Sequence, residues 1–346
     1  MQNLITTSKD LTQPQLIDSF GRAITYVRLS ITDRCDLRCV YCMAEDMTFL
    51  PRNEVLSIEE FALLGQVFCE LGVTKLRITG GEPLIRKGII ELVSRLNQLP
   101  QSPEICLTTN GTHLENYAQA LKDASLDRIN ISLDSLNPEQ FRRLTRVGDL
   151  DKVLKGIKAA QRVGFKNIKL NCVALKHFNA DEAPDLVRFA LDEGLDISFI
   201  EEMPLGQIDD HGRATEFISS AELRKKIEQQ VALTPVSYSS IRQSSDGPAR
   251  YWQAAGYASK IGFISPHSEN FCSSCNRVRV TATGKLILCL GQNNSADLRD
   301  AIRGHETPAA NLKSILLKAI AHKPEKHDFD LQNEPQILRF MNATGG

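Results

Sequence analysis

The chain has 346 residues, enough for one large domain or two ordinary ones. Its apolar fraction of 42%, charged fraction of 24% and formal net charge of −1 are ordinary for a soluble globular protein. They exclude a global basic field that would attract nucleic acid, and no apolar run approaches a membrane span. The first twenty residues are polar and mixed and lack an apolar signal-peptide core. We therefore expect a cytoplasmic protein with no nucleic-acid or membrane partner.

Apolar, β-rich runs alternate with helical stretches over the first 200 residues. The runs predict strands at 24–32, 74–79, 104–110, 128–134, 167–175 and 196–201. Ser57 begins a capping-box sequence, so a helix is predicted from there to a stop near Gly72. Further helices are predicted at 151–163 and 181–193, each closed by a glycine. This alternation predicts a parallel α/β layer.

Side chains alternate between apolar and polar along the predicted strands. In the first strand, Val27 and Leu29 share one face and Arg28 lies on the other. The polar faces of five strands carry Tyr26, Arg28, Ser30, Arg77, Thr79, Cys106, Thr108, Asn110, Asn130, Ser132, Asp134, Lys169 and Asn171. Strands covered by helices on both faces would be almost continuously apolar. The pattern predicts a curved sheet with helices outside and a wet, polar concave side, like a barrel too open to fill itself.

The repeat pattern stops after Met203. Residues 206–213 are polar and loop-like, 219–230 are helical in pattern, and 237–255 are rich in Ser, Gly and Tyr. We predict an N-terminal extension at 1–20, a partial-barrel domain at 21–205 and a smaller C-terminal domain at 206–346.

Nine cysteines raise the question of disulfides, but a large chain without a secretion signal belongs to a reducing compartment. Six of the nine fall in two tight groups, which indicates metal binding. The other three stand alone in apolar surroundings and are predicted to be small buried hydrophobic residues: Cys69, Cys106 and Cys172.

The first cysteine group has the spacing Cys-x3-Cys-x2-Cys, at Cys35, Cys39 and Cys42. Structural zinc usually takes four ligands in two separated pairs, which this run does not offer. Three close thiolates can instead each bind one iron of a [4Fe-4S] cluster and leave the fourth iron without a protein ligand. Such an iron can bind a small molecule and pass it an electron.

The second group has the spacing Cys-x2-Cys-x13-Cys, at Cys272, Cys275 and Cys289. A Cys-x-x-Cys pair is a common zinc half-site, and His267 could be a fourth ligand, so spacing alone supports zinc and iron–sulfur equally. Arg277 and Arg279 follow on one face of a predicted strand. They are either solvated charges on an edge strand or ligands for an anionic substrate.

The run from Cys35 to Cys42, with Tyr41 before the last cysteine, resembles the signature of the radical S-adenosylmethionine (SAM) superfamily. Gly80-Gly81-Glu82-Pro83 resembles the methionine-binding turn of that superfamily, in which glycines let backbone carbonyls approach the SAM ammonium. The resemblance implies an incomplete (βα)6 TIM-like barrel of the radical SAM type, with a smaller C-terminal α+β domain closing the open side. It also implies that the first cluster binds SAM and cleaves it to methionine and a 5′-deoxyadenosyl radical.

Further motifs, in order from about Phe20 to the last residue, are similar to one family of that superfamily. They are segments 30–35, 76–83, 107–111, 129–135, 244–249, 271–279 and 284–289 and the final Gly345-Gly346. The family is GTP 3′,8-cyclase, also called molybdenum cofactor biosynthesis protein A. The resemblance implies a lyase that converts GTP to (8S)-3′,8-cyclo-7,8-dihydroguanosine 5′-triphosphate with two [4Fe-4S] clusters and SAM, the second cluster holding the purine. Implied partners are cyclic pyranopterin monophosphate synthase downstream and an electron donor such as flavodoxin or ferredoxin, with the chain a monomer or homodimer.

The resemblance also implies roles for individual residues. SAM contacts would be Tyr41, Gly81, Glu82, Ser132 and Met203. GTP contacts would be Arg28, Arg77, Thr108, Lys169, Arg277, Val278 and Arg279, with Arg277 and Arg279 also catalytic. Strand alternation had already assigned five of these residues to the polar face. Three cations on one concave surface suit a triphosphate, to which arginine binds bidentately.

One residue departs from the family pattern. The family commonly has arginine at the position of Ser198, so either a neighbour such as Lys176 or Arg213 substitutes for it or substrate affinity and rate are reduced. The resemblance implies that the Gly345-Gly346 end reaches into the active site, where glycine threads a crowded space without side-chain clashes, and the alternative is a flexible tail. Two other functions stay open: a radical SAM enzyme that modifies a peptide or protein, and a non-enzymatic protein with two zinc sites.

Overall fold

A computed structural model describes residues 16–206, 208, 212–237, 247–304, 306–330 and 337–345. Several predicted features therefore lie wholly or partly outside the described residues: positions 1–15 of the N-terminal extension, parts of the segments 206–213 and 237–255, the motif residues 244–246, and Gly346. Within the described part, no helix is long and apolar enough to cross a membrane.

The six predicted strands are confirmed: five are somewhat shorter than predicted, and the sixth has the predicted bounds. They are β1 (Tyr26–Ser30), β2 (Lys75–Thr79), β3 (Glu104–Thr109), β4 (Arg128–Ser132), β5 (Ile168–Ala174) and β6 (Asp196–Glu201). All five neighbouring pairs are parallel and follow chain order. Helices connect them: α1 (Ile58–Glu70), α2 (Ile89–Asn97), α3 (Leu114–Asp123), α4 (Pro138–Thr145), α5 (Leu150–Arg162) and α6 (Ala183–Asp192).

Local sequence signals set the helix ends. The Ser57 hydroxyl accepts a hydrogen bond from the Glu60 amide, and the Glu60 carboxylate accepts one from the Ser57 amide, which is the predicted capping box. Gly72 follows α1 at φ 97°, a left-handed conformation that glycine adopts without a Cβ penalty. The helix predicted at 181–193 is instead a 3-10 turn followed by α6, because Pro184 occupies the first turn of α6.

Residues after β6 extend the same sheet at both sides. The elements are α7 (Arg213–Glu216), α8 (Ser220–Glu228), β7 (Leu233–Pro235), β8 (Arg250–Ala254), β9 (Lys260–Ile264), β10 (Arg277–Val280), β11 (Lys285–Ile287), β12 (Ser295–Asp297), α9 (Arg299–Arg303), α10 (Pro308–Ile320) and α11 (Met341–Thr344). Strand β10 lies parallel to β1, and β9 lies parallel to β6. The order is β12-β11-β10-β1-β2-β3-β4-β5-β6-β9-β8-β7, so the described sheet has two ends and is an incomplete barrel.

The predicted boundary at 205/206 falls just after β6, yet the strands beyond it are hydrogen-bonded to the barrel strands. Residues 206–346 therefore do not build a separate sheet within the described part of the chain. The division into three segments stays a prediction about sequence organisation.

The two faces of the sheet have the predicted polarity. The apolar faces of β1 to β6 pack with the helices in one large core that includes Val27, Leu29 and Ile78. Across the sheet, Arg28 of β1 lies directly opposite Arg77 of β2 on one side and Arg279 of β10 on the other. The strand register thus places these three arginines side by side on the polar face.

Candidate active site

A single cavity on the concave face collects almost every residue that the sequence singled out. All six grouped cysteines line it, together with Tyr41, Gly81, Ser132, Met203, Arg28, Arg77, Thr108, Lys169, Arg277, Val278 and Arg279. The exception is Glu82, which is fully buried outside the cavity wall. The side chain of Val278 belongs to the apolar core, so this residue presents mainly its backbone to the cavity.

The first cysteine group occupies the loop after β1. The Arg38 and Val40 amides donate to the Thr145 and Leu144 carbonyls at 3.0 and 2.9 Å, which fixes the loop against the end of α4. Burial, with smaller contributions from nearby carboxylates and thiols, raises the pKa of all three thiols, that of Cys42 to about 12. Thiolates here are therefore stable only with a cationic partner such as iron.

The glycine turn after β2 packs directly on that loop. The Gly81 amide donates to the Thr32 carbonyl and the Glu82 amide donates to the Arg34 carbonyl, each at 2.8 Å. A Cβ on Gly81 would lie 2.3 Å from the Arg34 carbonyl oxygen, so only glycine fits. The Glu82 carboxylate accepts hydrogen bonds from Leu84, Thr109 and Asn110, so it braces the turn instead of facing the cavity.

The side chain of Tyr41, in the first cysteine loop, is held by a hydrogen bond to Asp134. Its hydroxyl donates to the Asp134 carboxylate at 2.7 Å, and that carboxylate also accepts from the Val173 amide at 2.9 Å. Burial raises the pKa of Asp134 to about 6 despite these two hydrogen bonds. The pair ties the cysteine loop to β4 and β5, next to Ser132.

The second cysteine group lines the same cavity: Cys272 and Cys275 come just before β10, and Cys289 follows β11. The buried Lys323 ammonium donates to the Leu288 carbonyl, next to Cys289. Although burial opposes thiolate formation, Lys323 and Arg277 lower the pKa of Cys275. The surroundings of this group are therefore cationic, whereas carboxylates surround the first.

His267, the zinc ligand considered from sequence, does not join this group. Its Nε2 lies 3.0 Å from the Glu202 carbonyl oxygen, and its ring packs between Phe217 and Phe329. Within the described ranges, no three His, Cys, Asp or Glu side chains converge closely enough to hold a single metal ion. Free thiols spread along a cavity wall instead fit a cluster in which each thiolate binds a different iron.

Cations crowd the wall between the two cysteine groups. Arg77 and Arg279 are more than 90% buried, and Arg28 and Arg277 are half-buried beside them. Burial, together with repulsion from Arg77 and Arg277, lowers the pKa of Arg28 to about 10. Bringing guanidinium groups together out of water is costly unless an anion joins them, so this wall favours a polyanionic ligand.

Tyr26 lies within this cationic wall. Its hydroxyl accepts a hydrogen bond from the Arg77 Nε at 2.6 Å, and the Lys75 and Arg277 cations lie within 6 Å of its ring centre. Although burial opposes ionisation, Arg77 and Arg28 lower the pKa of Tyr26 to about 8. Tyr26 was on the predicted polar face, but no sequence signal had marked it as functional.

The remaining wall, from β3 to β5, is polar with one cation. Thr108, Asn130 and Lys169 lie opposite one another on adjacent strands, and Asn171 follows one residue pair further along β5. The buried amide oxygens of Asn130 and Asn171 have no hydrogen-bond partner among the described residues. Unsatisfied groups of this kind indicate a place where a ligand completes the hydrogen bonding.

Neither predicted substitute for the family arginine enters the cavity. Arg213 pairs with Glu202 at 3.1 Å and donates to the Gly206 carbonyl at 2.8 Å, and Lys176 is exposed. Neither residue lines the cavity wall. Ser198 itself is fully buried, and its hydroxyl has no partner among the described residues.

The described end of the chain threads back into the site. Asn342 donates to the Asp33 carbonyl at 2.9 Å, and the Met341 amide donates to the Cys42 carbonyl at 3.2 Å. The Arg279 guanidinium donates to the Gly345 carbonyl. Gly345 has φ 80°, and a Cβ on it would lie 2.3 Å from Thr79, so the predicted approach of this glycine to the site is confirmed.

Sequence patterns missed the cavity residues that come from the C-terminal segments. Lys323, His327 and Phe329 line the wall near the second cysteine group, but they follow α10 in an irregular stretch with no motif or periodicity. Lys75 has the same parity as Arg77 and could have been found by extending the alternation by one residue pair.

Two family profiles cover most of the chain. The Radical SAM superfamily profile matches residues 29–190, and the Molybdenum Cofactor Synthesis C profile matches residues 195–329. The two matches meet near β6, close to the boundary predicted from sequence.

Curated relatives match over nearly the full length. A GTP 3′,8-cyclase of Saccharophagus degradans is 59% identical over 331 residues, covering 96% of this chain and 98% of the relative. A GTP 3′,8-cyclase of Pseudomonas putida is 54% identical over 332 residues, with the same coverages. The GTP 3′,8-cyclase 2 of Pseudomonas aeruginosa is 53% identical and covers 97% of this chain and 100% of the relative.

Solved structures share the fold at low sequence identity. Streptococcus suis SuiB superposes with a TM-score of 0.62 at 15% identity, covering 94% of this chain and 78% of that chain. Its SAM-bound crystal structure gives 0.59 at 18% identity, covering 88% and 69%. These likenesses support the incomplete-barrel architecture described above.

Proposed function

The chain belongs to the GTP 3′,8-cyclase family of the radical SAM superfamily, and on that premise we propose how its cavity converts GTP to (8S)-3′,8-cyclo-7,8-dihydroguanosine 5′-triphosphate. It is a radical SAM lyase of molybdenum cofactor biosynthesis. The observation that carries the proposed site is the shared cavity: two three-thiol groups and four arginines line the same space.

The proposed cofactor sites follow from the thiol chemistry. Cys35, Cys39 and Cys42 would hold the [4Fe-4S] cluster that, when reduced, supplies the electron for SAM cleavage. The glycine turn at Gly81 and Tyr41 would position SAM beside it, because the turn packs against that cysteine loop and Tyr41 belongs to the loop. Ser132 and Met203 line the same end of the cavity and complete the proposed SAM contacts.

The proposed GTP site lies between the two cysteine groups. Three arginines lie side by side in register on adjacent strands: Arg28, Arg77 and Arg279. Their guanidinium groups can therefore bind neighbouring phosphates together. Arg277, two residues before Arg279, links this wall to Cys272, Cys275 and Cys289, which would hold a second [4Fe-4S] cluster at the purine end. Thr108, Lys169 and the Val278 backbone would complete the GTP contacts.

The protein residues also protect the reaction. A radical formed on the nucleotide reacts with whatever lies nearest, so the site must exclude water and other donors. The described C-terminal segment, from Phe340 to Gly345, contacts Asp33 before the first cysteine loop and Arg279, and its Met341 lines the cavity, so it would help to exclude water. Arg277 and Arg279 would hold the triphosphate so that the ribose faces SAM and carbon 8 of guanine stays within reach of the ribose.

The proposed reaction requires two protein partners, one that supplies an electron and one that takes up the product. An acidic one-electron carrier such as flavodoxin or ferredoxin would supply the electron. Cyclic pyranopterin monophosphate synthase would consume the product. We expect both exchanges in the cytoplasm, with the chain a monomer or homodimer.

The proposal is tested by anaerobic reconstitution with iron and sulfide, followed by incubation with SAM, dithionite and GTP. Mass spectrometry should detect the cyclised nucleotide and one 5′-deoxyadenosine for each product. Cys35→Ala should abolish deoxyadenosine formation, whereas Cys289→Ala should retain more SAM cleavage than cyclisation. Full product formation by Cys289→Ala would refute the substrate role of the second cysteine group, and no GTP binding at millimolar concentration would refute the GTP site.

A further inference from the structure

Tyr251 of β8 lies behind the cavity wall and contacts a residue of the proposed GTP site. It is 6% exposed, and its hydroxyl oxygen lies 3.2 Å from the Lys169 Nζ. The Lys169 ammonium also lies 5.7 Å from the centre of the Tyr251 ring. Tyr251 itself does not line the cavity, whereas Lys169 does, so the contact with Lys169 is its route to a ligand there.

Lys169 needs a hydrogen-bond partner such as the Tyr251 hydroxyl because its ammonium group is buried. It is 8% exposed, and among the described residues no carboxylate lies within ion-pair distance of its ammonium. A phenol oxygen can accept one hydrogen bond and fix the direction of the side chain, but it does not neutralise the charge. The ammonium therefore keeps its charge available for an anion in the cavity.

The reach of Tyr251 depends on small residues in the two strands between it and Lys169. Ser198 of β6, Gly262 of β9 and Tyr251 lie side by side in register. A Cβ on Gly262 would lie 2.9 Å from the Tyr251 ring and 2.7 Å from the Ser198 hydroxyl oxygen. The ring therefore crosses the strand where a side chain is absent, and a long side chain at 198 would compete for the same volume.

We propose that Tyr251 is a positioning residue that holds the Lys169 ammonium toward the triphosphate of bound GTP, and that Gly262 and Ser198 provide the space for its ring. This inference rests on the proposed function, because it requires Lys169 to contact the nucleotide. It also gives a reason for a small residue at 198: that position makes room for an indirect contact through Lys169.

Two variants remove the contact in different ways. Tyr251→Phe keeps the ring and removes the hydroxyl, whereas Gly262→Ala keeps the hydroxyl and displaces the ring. Tyr257→Phe is the matched control, because Tyr257 lies in the β8–β9 turn and is 42% exposed. Equilibrium dialysis of the reconstituted proteins without SAM measures binding of GTP and of guanosine, and steady-state assays give KM and kcat.

We expect both variants to bind GTP about five- to tenfold more weakly and to raise its KM similarly, as for the loss of one oriented charged contact. The affinity for guanosine should not change, kcat should stay within about twofold, and Tyr257→Phe should equal the wild type.

Unchanged GTP affinity in both variants would overturn the proposal. So would a defect in Gly262→Ala alone, because ring packing would then matter and the hydroxyl would not. Equal losses for GTP, guanosine and SAM would indicate a structural role and also overturn it. If the wild type binds no GTP, the proposed function fails before any variant is compared.

Discussion

Replacing Gly81 with alanine tests whether the contact between the glycine turn and the first cysteine loop builds the cofactor site. The added Cβ would lie 2.3 Å from the Arg34 carbonyl oxygen and 2.8 Å from the Asp33 carbonyl oxygen. Relaxing the shorter contact to ordinary van der Waals distance requires a shift of about 1 Å. Both contacting groups are backbone, so no side chain can rotate away.

The shift must disturb hydrogen bonds that join the two segments. The Gly81 amide donates to Thr32 and the Glu82 amide donates to Arg34, each at 2.8 Å. Overpacking of this kind, with one of these bonds weakened, costs about 1–3 kcal/mol. Because Arg34 immediately precedes Cys35, the displacement reaches the first thiol ligand. Gly81→Ala should therefore fold but lose iron at the first cysteine group and bind SAM weakly.

The assay is iron and sulfide content after anaerobic reconstitution, together with SAM binding by equilibrium dialysis. Gly194→Ala is the control: Gly194 has φ 66° in the turn before β6, and a Cβ at this position would meet no atom within 4 Å, so the variant suffers about 1–2 kcal/mol of backbone strain away from the site. Wild-type iron content and SAM affinity in Gly81→Ala would refute the reasoning. Equal iron loss in Gly194→Ala would assign the effect to general destabilisation.

Gly345→Ala should lower kcat/KM for GTP by roughly tenfold. Gly345 has φ 80°, and the added Cβ would lie 2.3 Å from Thr79, so the substitution should displace the chain end from Arg279. An unchanged kcat/KM would contradict this. In metal-free protein, the ultraviolet absorbance of tyrosinate should show Tyr26 ionising near pH 8, and Tyr26→Phe should lack that step. The pKa of Tyr26 in the folded protein lies below its ordinary value of 10, so the folded state releases this proton at a lower pH than the unfolded state does. The free energy of unfolding of the wild type, measured in urea, should therefore rise by up to roughly 2–3 kcal/mol relative to Tyr26→Phe between pH 8 and 10. A difference between the two proteins that does not change with pH would contradict this lowered pKa. In the same urea unfolding assay, Ser198→Ala should leave the protein as stable as the wild type or stabilise it by about 1 kcal/mol. The substitution removes a buried hydroxyl that has no hydrogen-bond partner among the described residues. A clear destabilisation would show that this hydroxyl makes a hydrogen bond.

The sequence predicted the barrel strands and their polar faces because both depend on local geometry. Side chains alternate strictly along a strand, so the parity of Arg28, Arg77 and Lys169 placed them on one face before any tertiary contact was known. Helix ends were predictable for a similar reason: a capping box at Ser57 and left-handed glycines such as Gly72 act within a few residues.

Other parts of the site depend on pairings between distant segments. The sequence placed a smaller domain after residue 205, but it did not indicate that β10 would lie beside β1 and β9 beside β6. The first pairing joins residues 251 positions apart and the second joins residues 64 apart. Such pairings are chosen by packing of the whole sheet, and neither periodicity nor turn chemistry carries that information.

The amino-acid sequence by itself determined the chemistry of this protein: two groups of three thiolates, a glycine turn and a polar face with cations, because residue type and short spacing specify ligands and strand faces. Only the tertiary structure decided that both cysteine groups and the arginines share one cavity, because β10 joins the barrel at the edge of β1. A second set of pairings, β8 with β9 and β9 with β6, brought Tyr251 to Lys169, a contact between residues 82 positions apart that no local pattern could indicate.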